Sequence, residues 1–574
     1  MLKSLPARLL TFWLGLLSGL LLGSQILGHL GLYRPWLAVP FSLAAGLAAG
    51  WLLHRTDLGA FYRQVFPAAP TGRLRWLDAA LALAGAAITL LLIAVPLARW
   101  PLSPISQTLA WDAGAYHFPK AIELLNTGTV WDFSISYGEY PFGYETLLTL
   151  AAMPTHSGAL FGTAHLLTGL FMLLVVWALI RRYTDLPAGL TLLLTSLLLT
   201  FGTLLGLGRT PWWIYRSLLD TIGKNDLFAG AALLAVLFYA PVGPAENRRA
   251  WHPTAMALAT FIAAAVKPSA LLAAAPLWII AALELWRTAG FKAALRRLLL
   301  CGLMILPGVL WLGRNFIAQG VAFSPDVTRL QQWSIWNNLT NPWFYNYIPL
   351  DLIIVLVIGG VTTLLAVFVR RIHWTLPVVF ATMLLTFAVT AQSGFYGTNQ
   401  VPTEMAWRFG LALATFAFLL PLVWLAPLLR RAWDGLGRSR WLPGVVAVLV
   451  LAVSAAYIAH ERVYLTTDPA NAIVLRDQFR EPVGMDGYHS PYDYVYQNVR
   501  NSVVWVENGL PFYAYGPGFT NSVTRTRKAD YLVALQTAWF GGDPAYPGML
   551  SDPAWDQNWQ LIYADSEGRV YQRR

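Results

Sequence analysis

Residues 253–286 read PTAMALATFIAAAVKPSALLAAAPLWIIAALELW, and the reading of this stretch decides how often the chain crosses a membrane. As one helix it would run about 50 Å at 1.5 Å per residue, against a hydrocarbon core of about 30 Å. Lys267 and Pro268 stand at its middle. Proline inside a helix removes a hydrogen bond and clashes with the preceding turn. The stretch is therefore expected to form two short helices meeting in a hairpin at Lys267.

The rest of the chain agrees with a membrane setting. Of 574 residues, 57% are hydrophobic and only 12% charged, where soluble domains carry about 25% charged. Mean hydropathy is +0.52. Apolar runs long enough to span recur up to about residue 460. The first follows Lys3 and Arg8 without a clear small-x-small cleavage site, so it reads as a retained helix rather than a signal peptide. One cysteine, Cys301, excludes a disulfide framework or a cysteine metal site.

With the hairpin in place, thirteen spans are expected: 9–31, 36–53, 77–98, 157–181, 186–207, 227–242, 254–267, 269–286, 298–313, 351–369, 374–392, 409–428 and 441–460. Alternate connections then carry the basic clusters, among them Arg55 to Arg75, Arg181 with Arg182, Arg287 to Arg297, and Arg430 to Arg440. Lys/Arg excess marks cytoplasmic loops. The N-terminus is therefore expected inside and the tail outside. The net charge of +11 is topology, not a nucleic-acid surface. Richness in Ala, Leu, Arg and Trp points to a bacterial inner membrane.

Three parts follow: an N-terminal hairpin and loop (1–76), a transmembrane core (77–460) with a large outer loop at 99–156, and an outer α/β domain (461–574). Strands are expected at LPFYAYG (510–516), at ADYLVAL (529–535), and as a closing pair in WQLIYADSEGRVYQRR.

The outer loop opens with WDAGAYHFPK at 111–120. As a helix, DAGAYHFPKAIELLNTG puts Ala115, Phe118, Ile122 and Leu125 on one stripe and Asp112, Tyr116, Lys120 and Glu123 on the other, with His117 beside them. An amphipathic helix is expected at the outer membrane surface, its polar face toward water or a cavity. Asp112 equally fits a plain N-cap. Lys120 with Glu123 equally fits a helix salt bridge.

Positive charges that break the topology rule collect on the outer side: Lys120, Arg209, Arg216, Lys224, Lys267, Arg314 and Arg408. Asp112, Asp226 and Glu404 lie on the same side. Such a mouth beside lipid suits a phosphate-bearing amphiphile and a general base. The nine histidines are scattered, with no His-x-x-x-His pair, so no metal is expected.

Five stretches together resemble the GT-C superfamily of integral-membrane glycosyltransferases, which use polyprenyl-phosphate sugars and include aminoarabinose transferases and protein O-mannosyltransferase-like enzymes. They are WDAGAYHFP with EYPFGYETLLTL (139–150), GKNDLFAGAALLAVLFY (223–239), FIAAAVKPSALLAAAP (261–276), WLGRNFIAQGVAFSP (311–325) and, more loosely, MAWRFGLALA (405–414). They cover roughly 77–460 in the family's order.

The resemblance implies a GT-C-like fold and Asp112 as the base that frees an acceptor hydroxyl for inverting attack on a lipid-phosphate sugar. Lys267, Arg314 and Arg408 would bind the phosphate, although each also fits an interfacial cation that snorkels. Asp226 would position the acceptor or hold a basic residue, and also fits a helix N-cap. Tyr116, His117, Lys120 and Glu145 would contact donor or acceptor. No cofactor is implied; the partners would be the polyprenyl-linked donor, membrane lipid, and a lipid, glycan or protein acceptor. Two features depart from the family. The aspartate follows the third span rather than the first, and WDAG holds one acid where the family often has two, unless Asp132 or Glu139 folds back.

A transporter or flippase of lipid-linked sugars is the rival reading. It predicts charges near the bilayer midplane and an internal repeat, whereas the charges here lie at span ends on one side.

Overall fold

A computed structural model describes residues 5–56, 58–66, 74–99, 112–133, 135, 137–204, 222–243, 250–322, 350–369, 372–389, 410–467, 491–506, 511–524, 528–535, 555–565 and 568–574. Helices α1 (Leu5–Gly23), α2 (Pro35–Arg55), α3 (Leu58–Val65) and α4 (Leu74–Arg99) open the chain. The first long connection holds α5 (Phe118–Thr127) and α6 (Gly143–Ala152). The bundle continues with α7 (Phe161–Thr184), α8 (Ala188–Leu204), α9 (Asp226–Tyr239), α10 (Pro253–Val266), α11 (Pro268–Ala289), α12 (Phe291–Ile305) and α13 (Leu310–Gln319). It closes with α14 (Leu350–Phe368), α15 (Thr375–Val389), α16 (Leu411–Arg438) and α17 (Leu442–Thr467).

Among the described residues, eight helical runs are long and apolar enough to cross a membrane, and five shorter apolar helices accompany them. Each coincides with one of the spans read from sequence. The bundle's rim exposes Leu47, Leu83, Leu303 and Val448, as a surface facing lipid rather than water requires.

The hairpin at Lys267 is present. Lys267 is extended, with φ −152° and ψ 129°, between α10 and α11. Trp278 Nε1 donates to Thr260 Oγ1 at 2.9 Å. On one continuous helix those residues would stand about 27 Å apart. Pro253 and Pro268 occupy first-turn positions, where a missing N–H is harmless.

Helices α9 and α10 have 14 residues each, a rise of about 21 Å. Every residue of α9 is buried, which is why DLFAGAALLAVLFY shows no polar stripe. The two helices share one end, where His252 N donates to Tyr239 O at 3.0 Å. There Arg182 is wholly buried. Its guanidinium donates to the carbonyls of Phe238, of Ala240 at 2.9 Å and of Ala250 at 2.5 Å. Asp226 and Lys267 lie at the opposite end, hereafter the site end.

Two expectations fail. The loop helix is not amphipathic in place, because every residue from Phe118 to Leu125 is buried. Its polar face is covered by Pro141, Glu145 and the C-terminal domain, which supply partners for the charges. It stops as read, at Gly128 in the left-handed region.

In the C-terminal domain, 511–515 is a 3-10 turn rather than a strand. Pro511 cannot donate to a sheet ladder, and the aromatic rings of the turn pack elsewhere. The strands are β1 (Val503–Val506), β2 (Ser522–Thr524), β3 (Tyr531–Leu535), β4 (Trp559–Ala564) and β5 (Gly568–Arg573), in the order β2-β1-β3-β5-β4. β1 runs parallel to β2 and β3, while β5 is antiparallel to β3 and β4. In β1, Trp505 packs with Leu532, Trp559 and Tyr571, while Val504 and Val506 join the main core, as alternation across a pleat demands.

Candidate functional site

Asp112 stands at the head of a tight turn. Residues Ala113–His117 form a π-helical turn that runs straight into α5, and π turns inside helices often mark functional positions. Asp112 is helical, with φ −54° and ψ −40°, and its side chain makes no capping hydrogen bond. It holds the N-cap position of the π turn without capping it through its side chain.

Gly223 anchors this turn. Its φ is +98°, and a Cβ there would lie 2.4 Å from Ala113 Cβ and 2.8 Å from the Phe118 ring. Only glycine tolerates both the conformation and the approach. Tyr144 Oη accepts the Gly223 N–H at 3.1 Å. Gly223 begins the Gly-Lys-Asn-Asp stretch that ends in Asp226, so the Asp112 turn is pressed against the head of α9.

Beneath the turn lies a sealed group of charges. His117 Nδ1 is 2.8 Å from Glu145 Oε1, and Lys120 Nζ is 3.1 Å from the same oxygen. Lys120 also donates to Pro141 O at 3.0 Å and lies 4.3 Å from the centre of the Phe142 ring. All three side chains are about 2% exposed or less. Burial alone pushes the Glu145 carboxyl up, but Lys120 and His117 more than offset it and hold it below the ordinary range. Burial pushes the Lys120 ammonium down, opposed by Glu145. Glu145 Oε2 is buried with no hydrogen-bond partner among the described residues.

Arg314 completes this group. It lies inside α13 and is 1% exposed. It donates to Val130 O at 2.7 Å and Gly138 O at 2.8 Å, and Asn315 Oδ1 accepts from it at 2.9 Å. Asn315 in turn donates to Glu139 O at 2.8 Å. Five planar donors are well matched to loop carbonyls, so the guanidinium ties Val130, Gly138 and Tyr140 to α13.

The second group is Asp226 and Lys267. Asn225 is the N-cap of α9 and Asp226 its first helical residue. The Asp226 carboxylate is ion-paired with Lys267, so neither the capping nor the snorkelling account fits. The pair lines a cleft that opens to solvent, walled by Gly230, Leu233, Met383, Phe387 and Leu411 among others. The α6 turn holds the Lys267 end in place, since a Cβ on Gly143 would meet Ala265 O at 2.4 Å.

The structure thus brings Asp112, His117, Lys120, Glu145, Asp226, Lys267 and Arg314 to one end of the bundle. Tyr116, half-buried, meets His117 and Tyr137 in tilted ring contacts with centroids 4.2 Å and 4.7 Å apart. Arg209, Arg216, Glu404 and Arg408 lie outside the described residues. Among the described residues no group of three His, Cys, Asp or Glu side chains could hold a metal ion. Sequence reading missed Gly223, Gly143, Asn315 and the carbonyls of 130–141; backbone acceptors carry no side-chain signature.

Fold and site together define a polytopic helical membrane protein with a small mixed-sheet domain over a carboxylate- and cation-bearing end. Over 84% of its length the chain is similar to the crystal structure of ArnT from Cupriavidus metallidurans bound to undecaprenyl phosphate, at 15% identity and a TM-score of 0.47, covering 97% of that chain. The apo structure of the same protein aligns over 85% of this chain and 98% of its own, at 15% identity and a TM-score of 0.46. No protein-family model matches the chain, and no curated protein matches it.

Proposed function

We propose that the chain is an inverting glycosyltransferase of a bacterial inner membrane. It moves a sugar from a polyprenyl-phosphate donor to an acceptor hydroxyl on the extracytoplasmic face. The observation that carries this reading is the contact of Gly223 with the Asp112 turn, which joins a helical, non-capping aspartate to the cleft lined by Lys267 and Asp226. The five family-like sequence stretches supply most of these residues.

Asp112 is the general base, taking the acceptor proton as the hydroxyl oxygen attacks the anomeric carbon. The bond to the phosphate oxygen breaks and its electron pair leaves with the polyprenyl phosphate. Lys267 exchanges its contact with Asp226 for the phosphate as the donor binds and then meets the developing charge, where a fixed ammonium in an apolar cleft is worth far more than in water. Asp226 holds Lys267 until then and afterwards faces the acceptor. The apolar walls formed by Leu233, Met383, Phe387 and Leu411 suit a prenyl chain. His117, Lys120, Glu145 and Arg314 are positioning residues that fix the turn and its loop. Tyr116 contacts the sugar, and Arg408 is a second phosphate ligand.

The test is transfer of radiolabelled sugar from polyprenyl phosphate in lipid nanodiscs, with envelope extract as the acceptor. Wild type is expected to transfer, and Asp112→Asn to lose about 10²–10⁴-fold while its melting curve is kept. Equal transfer by both would remove Asp112 from the chemistry. No transfer from any donor, with flipping of labelled lipid in liposomes, would replace the enzyme by a flippase.

A further inference from the structure

The C-terminal domain reaches the Asp112 turn directly. Its 511–515 turn packs on residues 113–117. The Phe512 ring lies 5.0 Å from Phe118, the first residue after the π turn, and 6.2 Å from Phe161. Phe519 adds a stacked contact to Phe161 at 6.2 Å. Asn126 Nδ2 donates to Phe519 O at 3.4 Å, and His156 Nδ1 lies 3.2 Å from Gly518 O.

Within this apolar seat sits one buried polar pair. Tyr515 Oη donates to Glu123 Oε1 at 2.7 Å, joining residues 392 apart in sequence. Tyr515 is fully buried and Glu123 nearly so. Rings alone would seal the seat, and replacing a buried polar pair by apolar groups is often neutral or stabilising. A directional hydrogen bond instead accepts one register between the domain and α5. Because α5 continues from the π turn without a break, that register is transmitted to Asp112.

We propose that the C-terminal domain is a positioning element for the catalytic turn, with Tyr515 acting through Glu123 to set where Asp112 stands. This rests on the reading of Asp112 as the base. Among the described residues, Tyr515 of the C-terminal domain and Asp132 of the following loop face Glu123 from other elements. Burial pushes the Glu123 carboxyl up to about 7, with Tyr515 lowering and Asp132 raising it. With the domain lifted, it would return toward the ordinary value of about 4.3. The seated state thus binds the proton more tightly. Seating is strongest below about pH 4.3, weakens as pH rises, and levels off above about 7.

The test uses the full chain in nanodiscs and three variants. Tyr515→Phe keeps the ring but drops the donor; kcat is expected to fall about ten- to a hundredfold with little change in donor KM, and amide exchange in 112–127 to rise. Glu123→Gln, neutral and still an acceptor, is expected to keep the protection of 112–127 and to flatten its dependence on pH. Unchanged exchange and kcat in Tyr515→Phe would overturn the proposal, as would a wild-type pH dependence in Glu123→Gln. Asp112→Asn runs alongside. If it transfers normally the reaction reading falls, while exchange at 112–127 still decides whether the domain positions the turn.

Discussion

Two clusters at the same end of the bundle pair a carboxylate with a lysine, and their surroundings set them apart. Glu145 and Lys120 are sealed, with both side chains 1% exposed and backbone carbonyls filling the remaining donors. Asp226 and Lys267 line a cleft, and the Lys267 side chain keeps 12% of its surface open. A sealed pair has no room for a ligand, and breaking it leaves a buried charge without a partner. A pair in a cleft can exchange one partner for another. The same residue types therefore divide into a strut and a binding site.

The largest expected effect comes from breaking the strut. Glu145→Leu strands the Lys120 ammonium and is expected to destabilise the protein by about 3–5 kcal/mol, read as a lower melting temperature in detergent. Adding Lys120→Met should recover most of that loss. If the double variant is as unstable as the single, the pair is not what holds the turn.

Lys267→Gln should separate the clusters in the opposite sense. Donor KM is expected to rise about a hundredfold, from a loss of 2–3 kcal/mol in a charge-assisted contact, with a smaller fall in melting temperature than Glu145→Leu. A large loss of stability with unchanged donor KM would make this pair a second strut.

Arg314→Lys comes next. A single ammonium cannot reproduce the fork to Val130 and Gly138, so a loss of about 1–3 kcal/mol and a lower kcat at unchanged donor KM are expected. A rise in donor KM instead would return Arg314 to the phosphate.

The smallest effect is on pH dependence. Glu145 sits below its ordinary range in the folded state. Its contribution is therefore complete above about pH 4.3 and is lost as pH falls through the depressed folded value. Melting temperature should fall as the solution is acidified below about pH 4.3, and Glu145→Leu should lack that acid limb.

Much of this was legible before any coordinates. Apolar runs must be helical in lipid because every backbone polar group needs an internal partner, so the spans follow from composition. Lys-Pro inside an overlong run forces a break, and Trp278 bonded to Thr260 is the result. Asp112, Asp226 and Lys267 were visible as charges at span ends, where ionised groups avoid hydrocarbon. The loop helix was misread because its charged stripe looked solvent-facing, yet Glu145, Tyr515 and the Pro141 carbonyl bury it. LPFYAYG was misread because its aromatic content resembles a strand, while Pro511 and the ring contacts make it a docking turn.

Sequence by itself determined which segments span, where they break and that Asp112, Asp226 and Lys267 stand at span ends, because these depend on local composition against a bilayer of fixed thickness. Which lysine is sealed and which opens on a cleft was decided only by tertiary structure. So was the meeting of Glu123 with Tyr515 and of Gly223 with the Asp112 turn. Each needs partners scores of residues away, and burial and hydrogen-bond geometry are properties of the assembled neighbourhood rather than of any stretch of chain.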